Sequence, residues 1–217
     1  TSRSRQRADA IALQQAFPNL KVPNPVQNWG QPERQAYRFA LNGAYDFANS
    51  EAYVFSTYGF GTGVTDFNWR NPLSTSAFGD STIDPAYDLS EIYPAGFTPR
   101  FGQDDNDFSL TGGLRSADDG AFSYDLSASY GRNQIEYFMY DSINASLGSA
   151  SPTSFNIGTL TQTELNLNAD FVYLASLDFL ADNLTFAFGA ERRNEEYEIG
   201  QGEYASFAVG PLAAEGF

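Results

Sequence analysis

Four groups of residues have types and spacings that could do chemistry. Gly59-Phe60-Gly61-Thr62-Gly63 is glycine-rich enough to suggest a phosphate cradle. Such a cradle needs a helix N-terminus behind it, and no helical pattern follows. Asp104-Asp105-Asn106-Asp107, and separately Asp84, Asp88 and Glu91, would attract calcium. Neither set has the D-x-D-x-D-G spacing that wraps ligands around one ion, so solvated external loops are expected there. Trp69, Arg70, Tyr93, Phe97 and Arg100 fall within one long irregular stretch. Aromatic and guanidinium groups on a loop can anchor a small-molecule or oligosaccharide ligand by stacking and charge together, and they equally suit packing of the loop on itself. Ligand contact is the expectation.

Composition removes other chemistries. The 217 residues contain no His and no Cys, so His-dependent triads, zinc sites and disulfides are closed off. No catalytic residue, metal or cofactor is expected. Asp and Glu number 27 against 12 Lys and Arg, a net charge of -15. The early segment runs the other way, with Arg3, Arg5, Arg7, Lys21, Arg34 and Arg38 against Asp9 and Glu33. So acidic a remainder opposes nucleic-acid binding, which needs clustered Lys and Arg. Aromatics reach 16% while charged residues are only 18%, and no run approaches the roughly 20 apolar residues of a membrane-spanning helix.

The elements that must position these groups are almost all strands. A weak helical period covers Ala8 to Phe17 and stops at Pro18. After it the period is 2. Tyr37, Phe39, Leu41, Tyr45 and Phe47 alternate with Ala36, Arg38, Ala40, Asn42, Ala44 and Asp46. The same contrast returns in Phe108–Arg115, Phe122–Gly131, Glu164–Tyr173 and Leu184–Arg193. Glu51–Thr62 reads as a further strand whose phase the sequence leaves open. Six strands result.

Their connections alternate short and long. Ala48-Asn49-Ser50 and Asp118-Asp119-Gly120 are tight, whereas about 63–105 and 141–159 are long and rich in turn formers. Short, long, short, long is the pattern of outer-membrane barrels, and a strand of about 13 residues tilted near 45° rises about 30 Å, enough for a bilayer core. Tyr45, Phe47, Phe122, Tyr124, Phe171, Tyr173 and Phe186 would form one aromatic girdle beside the short turns, with Tyr37, Phe39, Tyr130 and Tyr137 at the opposite ends. The polar positions Arg38, Asp46, Arg115, Asp125, Glu164, Asp170, Glu191 and Arg193 would face the lumen or a plug, with Arg115 and Asp125 able to pair across the hairpin. The fold expected is therefore all-β: a transmembrane, antiparallel, up-and-down barrel segment of about six long strands over 34–199, with external loops at 1–33 (holding the short helix) and 200–217. A soluble β-sandwich shares the alternation but not the strand length or the loop series.

Several short words then carry a family resemblance. Asn28-Trp29-Gly30-Gln31-Pro32, Tyr45-Asp46-Phe47, Asn68-Trp69-Arg70-Asn71-Pro72, Tyr93-Pro94-Ala95-Gly96-Phe97-Thr98-Pro99-Arg100, Tyr124-Asp125-Leu126-Ser127-Ala128-Ser129-Tyr130-Gly131, Asn144-Ala145-Ser146-Leu147-Gly148 and Phe188-Gly189-Ala190-Glu191-Arg192-Arg193 occur in order. As a set they resemble TonB-dependent outer-membrane receptors. The resemblance implies a Gram-negative outer membrane with surrounding lipid, a barrel of about 22 strands, a plug domain and the TonB complex as partners, and active uptake of a metal chelate or oligosaccharide. Six strands and no plug-like stretch make the expected chain an interior section of such a barrel. The rival readings are a plugless porin and a soluble all-β binding module.

Overall fold

The computed structural model describes residues 5–30, 32–117 and 120–217. Its strands are long because alternating β-branched, aromatic and small residues run on without interruption. They are β1 (Glu33–Asp46), β2 (Ser50–Asp66), β3 (Arg100–Ser116), β4 (Phe122–Tyr140), β5 (Ser154–Ala175) and β6 (Leu184–Gln201). They form one six-stranded antiparallel sheet in sequence order, each strand pairing with the next. The sheet is open, with β1 and β6 at its edges. Register holds throughout except for one irregularity between Tyr137 and Phe138 in the β4–β5 ladder.

The strands outrun the sequence expectation at the end away from the short turns. The connections shrink to 67–99 and 141–153 because β2, β3 and β5 continue past the expected ends. Asp104–Asp107 is therefore a stretch of β3 paired to β2 and β4, not an external loop. Gly59–Gly63 lies inside β2, as a strand reading required. Of the second tight turn, Asp118 and Asp119 lie outside the described residues, as do Arg3 and Gln31.

The weak helical period is a helix, α1 (Ala8–Ala16), entered through Arg7 and left at Phe17 before Pro18. Arg7 grips Asp9 through Nε at 3.0 Å and a second nitrogen at 2.8 Å, which holds the Asp9 carboxyl below its ordinary range. The helix buries Ala10 and Leu13 against Val26 and Trp69, with Leu20 and Val22 beside them.

A second apolar cluster joins three segments distant in sequence. Tyr87, Leu89, Phe97 and Leu212 are its buried members, flanked by Ala77, Phe78, Tyr93, Ile143 and Phe217. Carboxylates staple the same segments. Glu215 accepts from Ser81 Oγ at 2.6 Å and from Thr82 N at 3.0 Å, and Asp84 accepts from Ser149 N and Oγ at 3.1 and 2.7 Å. Asn144 Nδ2 donates to the carbonyls of Ala205 and Ala208, both at 2.9 Å. The 67–99 loop, the 141–153 loop and the 202–217 tail thus form a folded cap rather than open loops.

Candidate functional site

Direct cross-strand partners share a face, so the registers sort every strand residue. One face carries Tyr37, Phe39, Leu41 and Tyr45 of β1, Val54, Tyr58 and Phe60 of β2, and Phe108, Leu110 and Leu114 of β3. It continues with Phe122, Leu126 and Tyr130 of β4, Leu165, Leu167, Phe171 and Tyr173 of β5, and Leu184, Phe186 and Phe188 of β6. Most of these side chains are exposed: Phe39 is 60%, Leu126 42% and Phe188 58% accessible. Each aromatic represents about 150–250 Å² of surface when buried. Even half-exposed, the set presents well over about 1,000 Å² of apolar area, beyond the few hundred Å² usual on a soluble monomer.

The apolar face is a bounded belt. On β4 it runs from Phe122 to Tyr130 and then gives way, on the same face, to Arg132, Gln134 and Glu136. On β5 it runs from Tyr173 to Leu165 before Thr163 and Thr161, and on β1 from Tyr45 to Tyr37 before Gln35. Each run covers about 26 Å of strand.

The polar edge of the belt also steps diagonally across the sheet. It sits at Tyr37 and at Phe60, its direct partner. On β3 it has moved to Phe108, one same-face position nearer the short turns than Asn106, the partner of Phe60. Tyr130 is again one position turnward of Arg132, the partner of Phe108. Leu165 is level with Tyr130. Ala190 lies two positions turnward of Asn194, the partner of Leu165. Five steps of about 4.8 Å thus shift the edge by about eight residues, or about 26 Å, a slope of about 45–50°.

Arg38, Asp46, Arg115, Asp125, Glu164, Asp170, Glu191 and Arg193 all fall on the opposite face. Arg38 lies over Gly59, its Cγ 3.5 Å from the place a Cβ would occupy, an ordinary packing distance. Arg115 pairs with Glu51 at 2.6 Å and not with Asp125, the partner expected across the hairpin. Asp125 instead accepts the Tyr53 hydroxyl at 2.7 Å, while the Arg115 guanidinium sits 5.4 Å from the Tyr53 ring. Arg193 approaches Glu191 at 3.5 Å and Glu164 at 3.8 Å. Asp46 ends β1 opposite Glu51. The expected girdle is corrected at one point: Tyr137 belongs to this polar face, stacked on Phe101 at 5.4 Å.

The loop residues expected to hold ligand are largely used for packing. Trp69 is 4% and Phe97 7% accessible. The Trp69 indole donates to the Ala95 carbonyl at 3.2 Å, and Tyr93 stacks on Phe97 at 4.6 Å. Arg70 is joined to Phe97 through backbone hydrogen bonds of 2.7 and 3.3 Å, leaving its side chain exposed. Arg100 sits beneath the cap, between Asp66 at 3.3 Å and Glu33 at 3.8 Å, over the Tyr140 ring at 5.1 Å. Its Nε reaches Asp66 without the alignment of a hydrogen bond. Burial takes the Trp69 and Phe97 rings out of reach of a ligand while the cap stays folded.

Sequence reasoning missed Asp66, which also accepts from the Asn28 backbone at 2.7 Å, and the stapling carboxylate Glu215, and it read Asp84 as a solvated loop carboxylate where the structure makes it a staple to Ser149. Both staples are held by hydroxyl and backbone donors. Hydrogen bonds from Ser149, and from Ser81 and Thr82, hold those two below the usual carboxylate range. Runs of Ser and Thr opposite an acid carry no periodic signal. Among the described residues no group of three or more acidic side chains is placed to hold a metal ion. No helix of the described residues is long and apolar enough to cross a membrane, a statement without bearing on strands. Compared with protein-family models and with curated proteins, the chain matches none.

Proposed function

We propose that this chain is a wall section, with its external cap, of a TonB-dependent receptor barrel in a Gram-negative outer membrane, serving active uptake of a metal chelate or oligosaccharide. The observation that carries the membrane part is the bounded, diagonal apolar belt. Strands of outer-membrane barrels tilt about 35–45° and bear an apolar band about 25 Å tall between aromatic girdles. A belt lying level in a bilayer must cross tilted strands obliquely, and the slope of about 45–50° lies close to that tilt. A sandwich core has no reason to end at a slanted polar edge while its strands continue. Receptor type, TonB and plug rest on the ordered sequence words from Asn28 to Arg193.

In this reading the belt meets lipid, the face with Arg38, Asp46, Arg115 and Asp125 lines the lumen and meets the plug, and the cap stands outside. The chain supplies wall and entrance, and the energy comes from the inner-membrane TonB complex. Sequencing the coding DNA on both sides tests this directly. A plug-sized domain upstream and further long alternating strands downstream are expected. Flanks encoding neither would overturn the receptor reading.

A further inference from the structure

The belt's polar edge holds a trough that neither lumen nor cap uses. It has a volume of about 390 Å³ and is lined by Tyr37 and Phe60 together with Gln35, Thr62, Asp104, Asn106, Gln134 and Glu136, with Gly61 and Asp105 contributing between them. Gly61 and Asp105 pair with each other and belong to the opposite parity. The registers put the other eight side chains on the belt face. Phe60 is the centre of a ring cluster, 5.2 Å from Tyr37, 5.8 Å from Tyr58 and 6.4 Å from Phe39. Thr62, Asp104 and Asn106 are short side chains between these rings and the longer Gln134 and Glu136, which makes the surface concave.

The polar groups retain free capacity. Gln35 spends its amide on the Tyr37 hydroxyl at 2.7 Å, which leaves its carbonyl open. Glu136 receives Asn156 on one oxygen at 2.7 Å. The lining contains carboxylates and no cation, so an anionic phosphate is disfavoured. Carboxylates only accept, while amides donate and accept; the matching ligand is rich in hydroxyls. It also needs an apolar flank to lie beside the Tyr37 and Phe60 rings. The rings stack nearly parallel, 29° apart for Tyr37 and Phe60, a wall rather than the surrounding cage that suits a quaternary ammonium.

We infer that this trough binds the uncharged sugar headgroup of a glycolipid whose acyl chains lie along the belt. The inference rests on the bilayer reading of the belt, since that alone puts a lipid headgroup at this height. Its C–H flank packs beside Phe60 and Tyr37, and its hydroxyls donate to Asp104 and Glu136 and exchange hydrogen bonds with Asn106 and Gln134.

The test reconstitutes the full chain in phosphatidylcholine vesicles with equal small amounts of monohexosyl diacylglycerol and diacylglycerol, and weighs the lipids retained by native mass spectrometry. At least tenfold enrichment of the hexosyl lipid is expected. It should fall to parity in Asp104→Ala/Gln134→Ala, and several-fold in Phe60→Leu, which keeps the belt apolar. Equal retention by the unaltered protein would overturn the sugar site while leaving the belt intact. Preference for added phosphatidylglycerol or phosphatidylethanolamine over the hexosyl lipid would overturn it in favour of a charged headgroup. Failure of the protein to float with vesicles at all would overturn both the site and the bilayer reading.

Discussion

The sheet and the cap are built on opposite plans. In the cap, Trp69, Tyr87, Leu89, Phe97 and Leu212 are buried and the polar staples point between segments, as in a small water-soluble domain. In the sheet the large apolar side chains of the belt are exposed, and the buried hydrophobic at its margin is Phe155, at the very start of β5. One chain therefore hides its apolar surface at one end and displays it at the other. Burial in the cap is driven by water; the belt is ordered by its ladders, and on the proposed reading an apolar solvent completes it. The contrast teaches where the apolar surface stops along the strands: at the slanted edge from Tyr37 to Ala190, which the proposed reading makes the bilayer boundary.

Substitutions can break this contrast on either side. The largest effect is expected for Trp69→Ala, which opens a cavity between α1 and the 67–99 loop and should cost about 3–5 kcal/mol of cap stability. Hydrogen exchange should show protection lost in 5–30 and 67–99 and kept in β4 and β5; loss in the sheet as well would mean that cap and sheet are one cooperative unit. Next comes Leu126→Arg, at the middle of the β4 belt, with an expected cost of about 2–4 kcal/mol in vesicles. Ser127→Arg, one residue on and facing the other way, should be nearly neutral. Urea unfolding of the two vesicle-embedded variants makes the comparison, and equal costs would erase the distinction between faces.

How much of this was legible follows from where a face contrast exists. Phe122–Tyr130 alternates greasy with polar, and its phase could be read from the residues alone. Beyond Gly131 the belt face turns polar at Arg132, Gln134 and Glu136 and the contrast is lost, while β4 runs on to Tyr140, where the sequence also ended it. The same loss of contrast disguised Asp104–Asp107 as a loop. The phase of β2 was hidden because Tyr53 and Phe55 lie on the polar face, opposite in parity to Tyr58 and Phe60. In the cap nothing repeats: Trp69 and Phe97 read equally well as ligand anchors or as core, and only the contacts with Leu13, Leu89 and Leu212 decide.

Smaller effects sharpen the cap's side of the comparison. Gly96 has φ of 76°, and a Cβ there would run into the Arg70 carbonyl and come within 2.8 Å of the Trp69 indole. Gly96→Ala should cost about 1–3 kcal/mol by backbone strain and clash, read as a lowered midpoint for cap unfolding. Acid should act last and least. Asp84 and Glu215 are depressed by the hydrogen bonds they accept. Their contribution is complete above the ordinary carboxylate pKa and is lost as pH falls through their folded values. Protection of the Thr82 and Ser149 amides, measured against the intrinsic exchange rate at each pH, should fall on acidification in that window, while the β4–β5 ladder stays protected. Unchanged protection at both amides would remove the stapling role.

The most direct test of the central claim uses the chain's lack of cysteine. Single cysteines placed in turn at 122–136 along β4, in the vesicle-embedded protein, would be probed by a water-soluble thiol reagent and by a lipid-confined quencher on an attached label. The account predicts that even positions from Phe122 to Tyr130 meet lipid and resist the reagent, odd positions do the reverse, and the alternation stops at Arg132. Equal reagent access at both parities, or a lipid signal that continues through Glu136, would contradict it.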